Sequence, residues 1–96
     1  MEQVGGFDWD DGNRDKCQKH GVSLAEIEEV FRSDPLVLPD RTGSSEARFN
    51  AVGLTGEGRH VFVVYTLRDT RSPQLLRPIS ARYMHRKEID AYERSR

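Results

Sequence analysis

Lys19 and His20 sit together in one short stretch, "CQKHGVS", immediately before a glycine. A turn calls for small or polar residues, not specifically for lysine and histidine. These side chains are therefore either helix-end residues or reactive groups held on a corner. Glu46 and Arg48 stand two apart in "EARFNAVGLT", so the period of a strand puts both on one side. The plain alternative for that pair is a surface ion pair worth about 0–1 kcal/mol. In "LLRPISARY", Ser80 and Arg82 share one side while Arg77, Ile79 and Ala81 share the other. Arg77 and Arg82 become same-face neighbours only if a bulge intervenes at Pro78. His85 and Arg86 follow at the junction with a terminal helix.

The chemistry open to this set is phosphate chemistry. A guanidinium stays charged at any working pH and presents a planar fork to phosphate oxygens. A histidine titrates near neutrality and can carry protons. Together they suit metal-free cleavage of RNA: one group takes the 2′-OH proton, cations hold the crowded phosphate charge, and another group protonates the leaving oxygen. His20 and Glu46 are the proton-transfer candidates, Arg48 and Arg82 the transition-state clamps. Lys16, Lys19, Arg77, Ser80 and His85 are candidate substrate contacts. Other chemistries lack their residues. His20, His60 and His85 have no zinc spacing, "GLTGEG" lacks the lysine and helix of a phosphate loop, and no Ser–His–Asp order can be read. No metal and no cofactor is expected. The single Cys17 reads as a small core hydrophobe.

These residues need elements to hold them. Phe7 and Trp9 alternate with Asp8 and Asp10 in a short extended piece. Asp10 or Asp11 then caps a helix running to about His20, with Gly21 placed to reverse the chain. "VSLAEIEEVF" reads as a second helix over Ser23–Arg32, with a Ser23/Glu26 capping box and a Val22/Ile27 staple. Leu24, Ile27, Val30 and Phe31 make its apolar face, and Pro35 ends it. Beyond it, "LVLPD" is a short candidate strand or edge and "TGSS" a turn. "EARFNAVGLT" alternates, "GEGR" suits a hairpin, and "HVFVVYTL" is the strongest and most central strand. Pro78 in the last strand predicts an edge position or a nearby bulge. "HRKEIDAYERSR" reads as a terminal helix with Ile89 and Tyr92 inward. The class is α+β: two N-terminal helices, an antiparallel sheet of about three to four strands, and a C-terminal helix. The helices are expected on one face, leaving the other open. Residues 1–96 make a single domain, with 1–6 a loose lead-in and 94–96 a frayed end.

Composition sets the bounds. Hydrophobic residues are 35% and charged residues 32% of the 96-residue chain, enough for one modest core. No apolar run approaches the roughly 18 residues that span a membrane, and the acidic start has no secretory core. A cytoplasmic protein is expected. The net charge of −1 hides an asymmetry: residues 1–58 carry 6 Lys/Arg against 12 Asp/Glu, and residues 59–96 carry 9 against 4. A basic end suggests a surface for phosphates or an acidic partner, although abundant arginine on solvated faces has the same signature.

"FDWDDGNRDKCQKHGVS", "EARFNAVGLT", "GRHVFVVYTLR" and "RPISARYMHRKEIDAYE" together resemble the BrnT family, over about residues 7–93. Those are ribonuclease toxins of bacterial toxin–antitoxin pairs. The resemblance implies a RelE-like fold, metal-independent endoribonuclease activity that stops translation, and neutralisation by a BrnA-like antitoxin in a hetero-oligomer that contacts DNA only through the antitoxin. It carries Lys16, Lys19, His20, Glu46, Arg48, Ser80 and Arg82 onto the family pattern, whereas Cys17 departs from the asparagine frequent there. The rival reading is a catalytically inactive relative, or a binding module acting only through complex formation.

Overall fold

The first two helices start at side chains able to cap them. In the computed structural model, residues 4–40, 47–69 and 73–95 are described. They form β1 (Val4–Phe7), α1 (Asp11–Gln18), α2 (Leu24–Arg32), β2 (Leu36–Pro39), β3 (Phe49–Leu54), β4 (His60–Arg68), β5 (Gln74–Tyr83) and α3 (Arg86–Ser95). Asp10 caps α1 reciprocally with Asn13, and Ser23 caps α2 reciprocally with Glu26. Each box satisfies amide groups that the first helical turn leaves without partners. α1 stops at Gln18, two residues short of the expected end. The chain then reverses at Gly21, whose φ of +94° suits a residue without Cβ.

The sheet has five strands in the order β1-β5-β4-β3-β2, and β4 is its centre as expected. Two expectations are corrected here. The sheet is larger than the three to four strands anticipated, and it is mixed: β1 pairs with β5 in parallel, while the other pairs are antiparallel. Residues 4–6, expected within a loose lead-in over 1–6, join Phe7 of the expected extended piece to make that extra strand. Parallel pairing needs a long crossover, and here everything from α1 to β4 supplies it. At the other end, α3 runs to Ser95.

α1 and α2 cover one face. Cys17, Ile27, Val30 and Phe31 are buried there against Ala51, Val61, Val63, Tyr65, Leu76 and Ala81. Phe31 meets Tyr65 edge-on at 5.0 Å. α2 approaches β3 so closely that a Cβ on Gly53 would stand 3.3 Å from both Val30 Cγ1 and Pro35 Cβ. The helices do not all share this face. α3 lies against the opposite one, where Tyr92 meets His60 edge-on at 5.7 Å and Glu93 bonds the same His60 at 2.6 Å. None of its residues is buried, so Ile89 and Tyr92 point inward only in part. A groove of about 370 Å³, lined by Leu36, Leu38, Val52, Phe62 and Tyr92, runs beneath it. No described helix is long and apolar enough to cross a membrane.

β5 contains the irregularity that Pro78 announced. Val64 pairs with Ser80 and Tyr65 with Pro78, so Ile79 bulges out of register. Of the two expected outcomes, the bulge is found and the edge position is not, because β5 lies between β4 and β1. The bulge resets the alternation. Arg77 opposes Thr66, Ser80 opposes Val64 and Arg82 opposes Phe62, so all three project from the face opposite the helical core.

Candidate active site

β1 covers only the start of β5, pairing Phe7 with Leu76. α1 adjoins the next stretch of β5 and is clipped there by one buried side chain. Asn13 Nδ2 donates to the carbonyls of Pro78 and of Asp8, both at 2.9 Å. The Asp8 N–H donates to Leu76 O at 2.9 Å. Strand, helix and bulge are thus tied together at one point.

Beside that point is a cavity of about 280 Å³, lined by Gly12, Asn13, Lys16, Arg48, Arg68, Arg77, Pro78 and Ile79. Four cations converge on it from α1, β4, β5 and the residue before β3. Asp8 and Asp10 offset them in part. Asp8 Oδ2 lies 3.3 Å from Arg68 Nε and 3.4 Å from Arg77 Nη1, and Asp10 Oδ2 lies 2.7 Å from Arg77 Nη2. The Asn13 N–H, and then Arg77, hold the Asp10 carboxyl below its usual range. Asp10 in turn, and then Asp8, hold Arg77 above its own. Counting these six charges leaves the site near +2.

Arg48 differs from Arg77. It forms no ion pair among the described residues, and its Nε is buried without a hydrogen-bond partner. A half-buried guanidinium that lacks an acid is expensive to desolvate and is offset when an anion arrives.

The structure brings some of the expected residues together and leaves others apart. Lys16, Arg48 and Arg77 line the cavity. Lys19 and His20 are exposed in the turn after α1 and are not part of the lining. Glu46 lies outside the described residues, as does the "TGSS" turn. Ser80 sits between Arg77 and Arg82 on their shared face, across from Val64. Arg82 is engaged elsewhere: its fork donates to both carboxylate oxygens of Glu88, at 2.7 and 2.8 Å, and its guanidinium lies 4.5 Å from the Phe62 ring centre. Glu88, held down to about 2 mainly by Arg82, also accepts from the exposed His85 N–H at 2.8 Å. Arg82 therefore fastens α3 to the sheet. Cys17 is fully buried and burial pushes its thiol up to about 11, which suits packing and not attack.

Sequence reading missed Arg68 and the two acids. Arg68 follows Phe62, Val64 and Thr66 at the strand period, so its side was legible once β4 was extended by one residue. Asp8 alternates with the anchors Phe7 and Trp9, which leaves it on the outer face. Among the described residues, no group of three His, Cys, Asp or Glu side chains could hold a metal ion.

A small α+β domain that gathers Lys16, Arg48, Arg68 and Arg77 around one polar cavity has a charge pattern suited to phosphate groups. The particular family follows from comparison: the sequence model for the ribonuclease toxin BrnT of type II toxin–antitoxin systems matches residues 9–88. The chain belongs to that family of ribonuclease toxins, and a type II system implies a protein antitoxin as its partner. No curated protein matches the chain.

Proposed function

We propose that the chain is a metal-independent endoribonuclease that acts in the cytoplasm, stops translation by cutting RNA in the Arg48–Arg77 cavity, and is neutralised by a BrnA-like antitoxin in a hetero-oligomer that reaches DNA only through the antitoxin. One observation carries this reading. Among the described residues, four cations meet at a single cavity with two acids beside them, and Arg48 has no acid partner. Such a site gains most from a ligand that becomes more negative. A phosphodiester carries one negative charge, and its pentavalent transition state carries close to two, so fixed guanidinium groups stabilise the second more than the first.

In this reading the ribose 2′-oxygen attacks phosphorus, its proton goes to a base, and the departing 5′-oxygen takes a proton from an acid. A cyclic 2′,3′-phosphate and a 5′-hydroxyl result. Arg48 and Arg77 hold the phosphate, with Lys16 and Arg68 beside them. Of the two proton-transfer candidates, Glu46 stands two residues before Arg48 in the sequence, whereas His20 is exposed in the turn after α1, off the cavity lining, and takes no step in this reading. Arg82 holds α3, and through it the end of β5.

The test combines chemistry with growth. Purified protein in a chelator should cut RNA to products with cyclic 2′,3′-phosphate ends. Expressed alone it should arrest bacterial growth, and co-expressed antitoxin should relieve the arrest. Folded protein that leaves RNA intact would assign the chain to complex formation alone. Activity abolished by chelation and restored by zinc would overturn the metal-independent chemistry.

A further inference from the structure

We propose that Asp8 is a positioning residue for RNA cleavage: a single carboxylate oxygen, Oδ2, gathers Arg68 and Arg77 at the cavity. This rests on the cavity being the place of cleavage. The backbone of Asp8 is fixed twice, by its N–H to Leu76 O and by its carbonyl to Asn13 Nδ2. The side chain of Asp8 is then committed to the two guanidinium groups. Asp10 also touches Arg77, but Asp10 is the N-cap of α1 as well. Only Asp8 can be changed without removing a helix cap.

Asp8 matters unequally to its two arginines. Arg77 is 19% exposed and keeps Asp10 if Asp8 is lost. Arg68 is 49% exposed, and Asp8 is its one ion-pair partner among the described residues. An arginine side chain has many rotamers, and a fixed carboxylate removes that freedom before the substrate arrives. Without Asp8, Arg68 is free to leave the cavity for solvent.

Removing this acid has two opposed effects, which separates positioning from mere stabilisation. Asp8→Asn raises the net charge of the site by one, so RNA in its ground state binds more tightly at low salt. It also frees Arg68, so the transition state is held less well. The expected result is a kcat lower by about tenfold with a reduced KM. A loss of folded protein alone would lower kcat without reducing KM.

The experiment is single-site RNA cleavage by the full chain, comparing Asp8→Asn, Arg68→Ala, the double variant and Arg48→Ala. If Asp8 acts through Arg68, Arg68→Ala lowers kcat by at least as much, and adding Asp8→Asn to it costs little more. Full kcat in Asp8→Asn, or a higher one, overturns the proposal and makes Asp8 a competitor of the phosphate instead. Full kcat in Arg68→Ala overturns it whether or not Asp8→Asn folds. Arg48→Ala at the wild-type rate would remove the cavity reading itself. Arg48→Ala impaired while Asp8→Asn keeps its kcat would remove only the role of Asp8.

Discussion

Replacing Arg48 with alanine should separate catalysis from stability more cleanly than any other single change in the site. Arg48 lines the cavity, its Nε is buried without a partner, and no acid among the described residues balances it. Its removal therefore leaves no described carboxylate unpaired and releases a desolvated charge. The packing of its aliphatic stem is the main loss. These effects oppose each other, and a net change within about 1 kcal/mol is expected, which is about 4–8 °C in Tm for a domain of this size. Cleavage should respond differently. A fixed donor aimed at developing charge contributes roughly 10²–10³ in rate, or about 3–4 kcal/mol. Arg48→Lys keeps the charge but loses the planar fork, so it should recover only part of the rate. Single-turnover cleavage of end-labelled RNA, with a thermal melt of the same preparation, measures both quantities. Wild-type cleavage by folded Arg48→Ala would refute the reasoning. So would a melting point lowered by far more than 8 °C, since that would mean Arg48 holds the fold.

The remaining predictions concern the framework. The Glu88 carboxyl is held at about 2 against an ordinary 4.5, so its contribution is present above about pH 4.5 and is lost as pH falls towards 2. With a third of each partner exposed, about 1 kcal/mol is expected. Urea midpoints should fall between pH 5 and pH 3 in the wild type, and by less in Glu88→Gln. Arg82→Ala should loosen α3 to a similar extent, seen as faster amide exchange over residues 86–95, and an unchanged exchange pattern would release Arg82 from its anchoring role. Gly53→Ala should destabilise by about 1–3 kcal/mol, because the added Cβ meets Val30 and Pro35 at 3.3 Å. A wild-type urea midpoint would show that α2 can move away without loss.

Local signals in the sequence were reliable where a short segment decides its own structure. Ser23 and Glu26 announced a capping box because both partners lie within one turn. The β-branched and aromatic run Val61–Tyr65 announced a central strand, and β4 has one face buried in the core and the other partly covered. Pairing between distant segments was not legible. Val4–Phe7 contains two glycines and shows no alternation, and its partner strand lies some seventy residues on, so nothing local marks it as a strand. The bulge was foreseen as one outcome at Pro78, but its choice over an edge position depends on β1 occupying the far side of β5. The side from which Arg82 projects was read correctly. Its partner Glu88, six residues on and around a strand–helix corner, was not, because only the packing of α3 brings the two together.

The cavity forms where the regular pattern of the sheet breaks. A continuous β5 would have set Arg77 and Arg82 on opposite faces, and one extra residue at Ile79 restores them to the same face. A β1 of full length would have covered the edge of β5. Because it stops at Phe7, the next residues, Asp8 and Asp10, reach Arg77 while Asn13 fastens α1 to Pro78. The cost of these irregularities is met locally, since the carbonyls of Asp8 and Pro78 both accept from Asn13 Nδ2. Asn13 is therefore the residue on which the alignment of helix, strand and bulge depends, and its amide has no spare donor once both carbonyls are served. Asn13→Asp removes those two donors, leaves both carbonyls unserved and sets a carboxylate among the cations. It should disorder the cavity and lower Tm together, the opposite of the separation expected for Arg48. A folded Asn13→Asp protein with normal Tm and normal cleavage would show that the clip is dispensable.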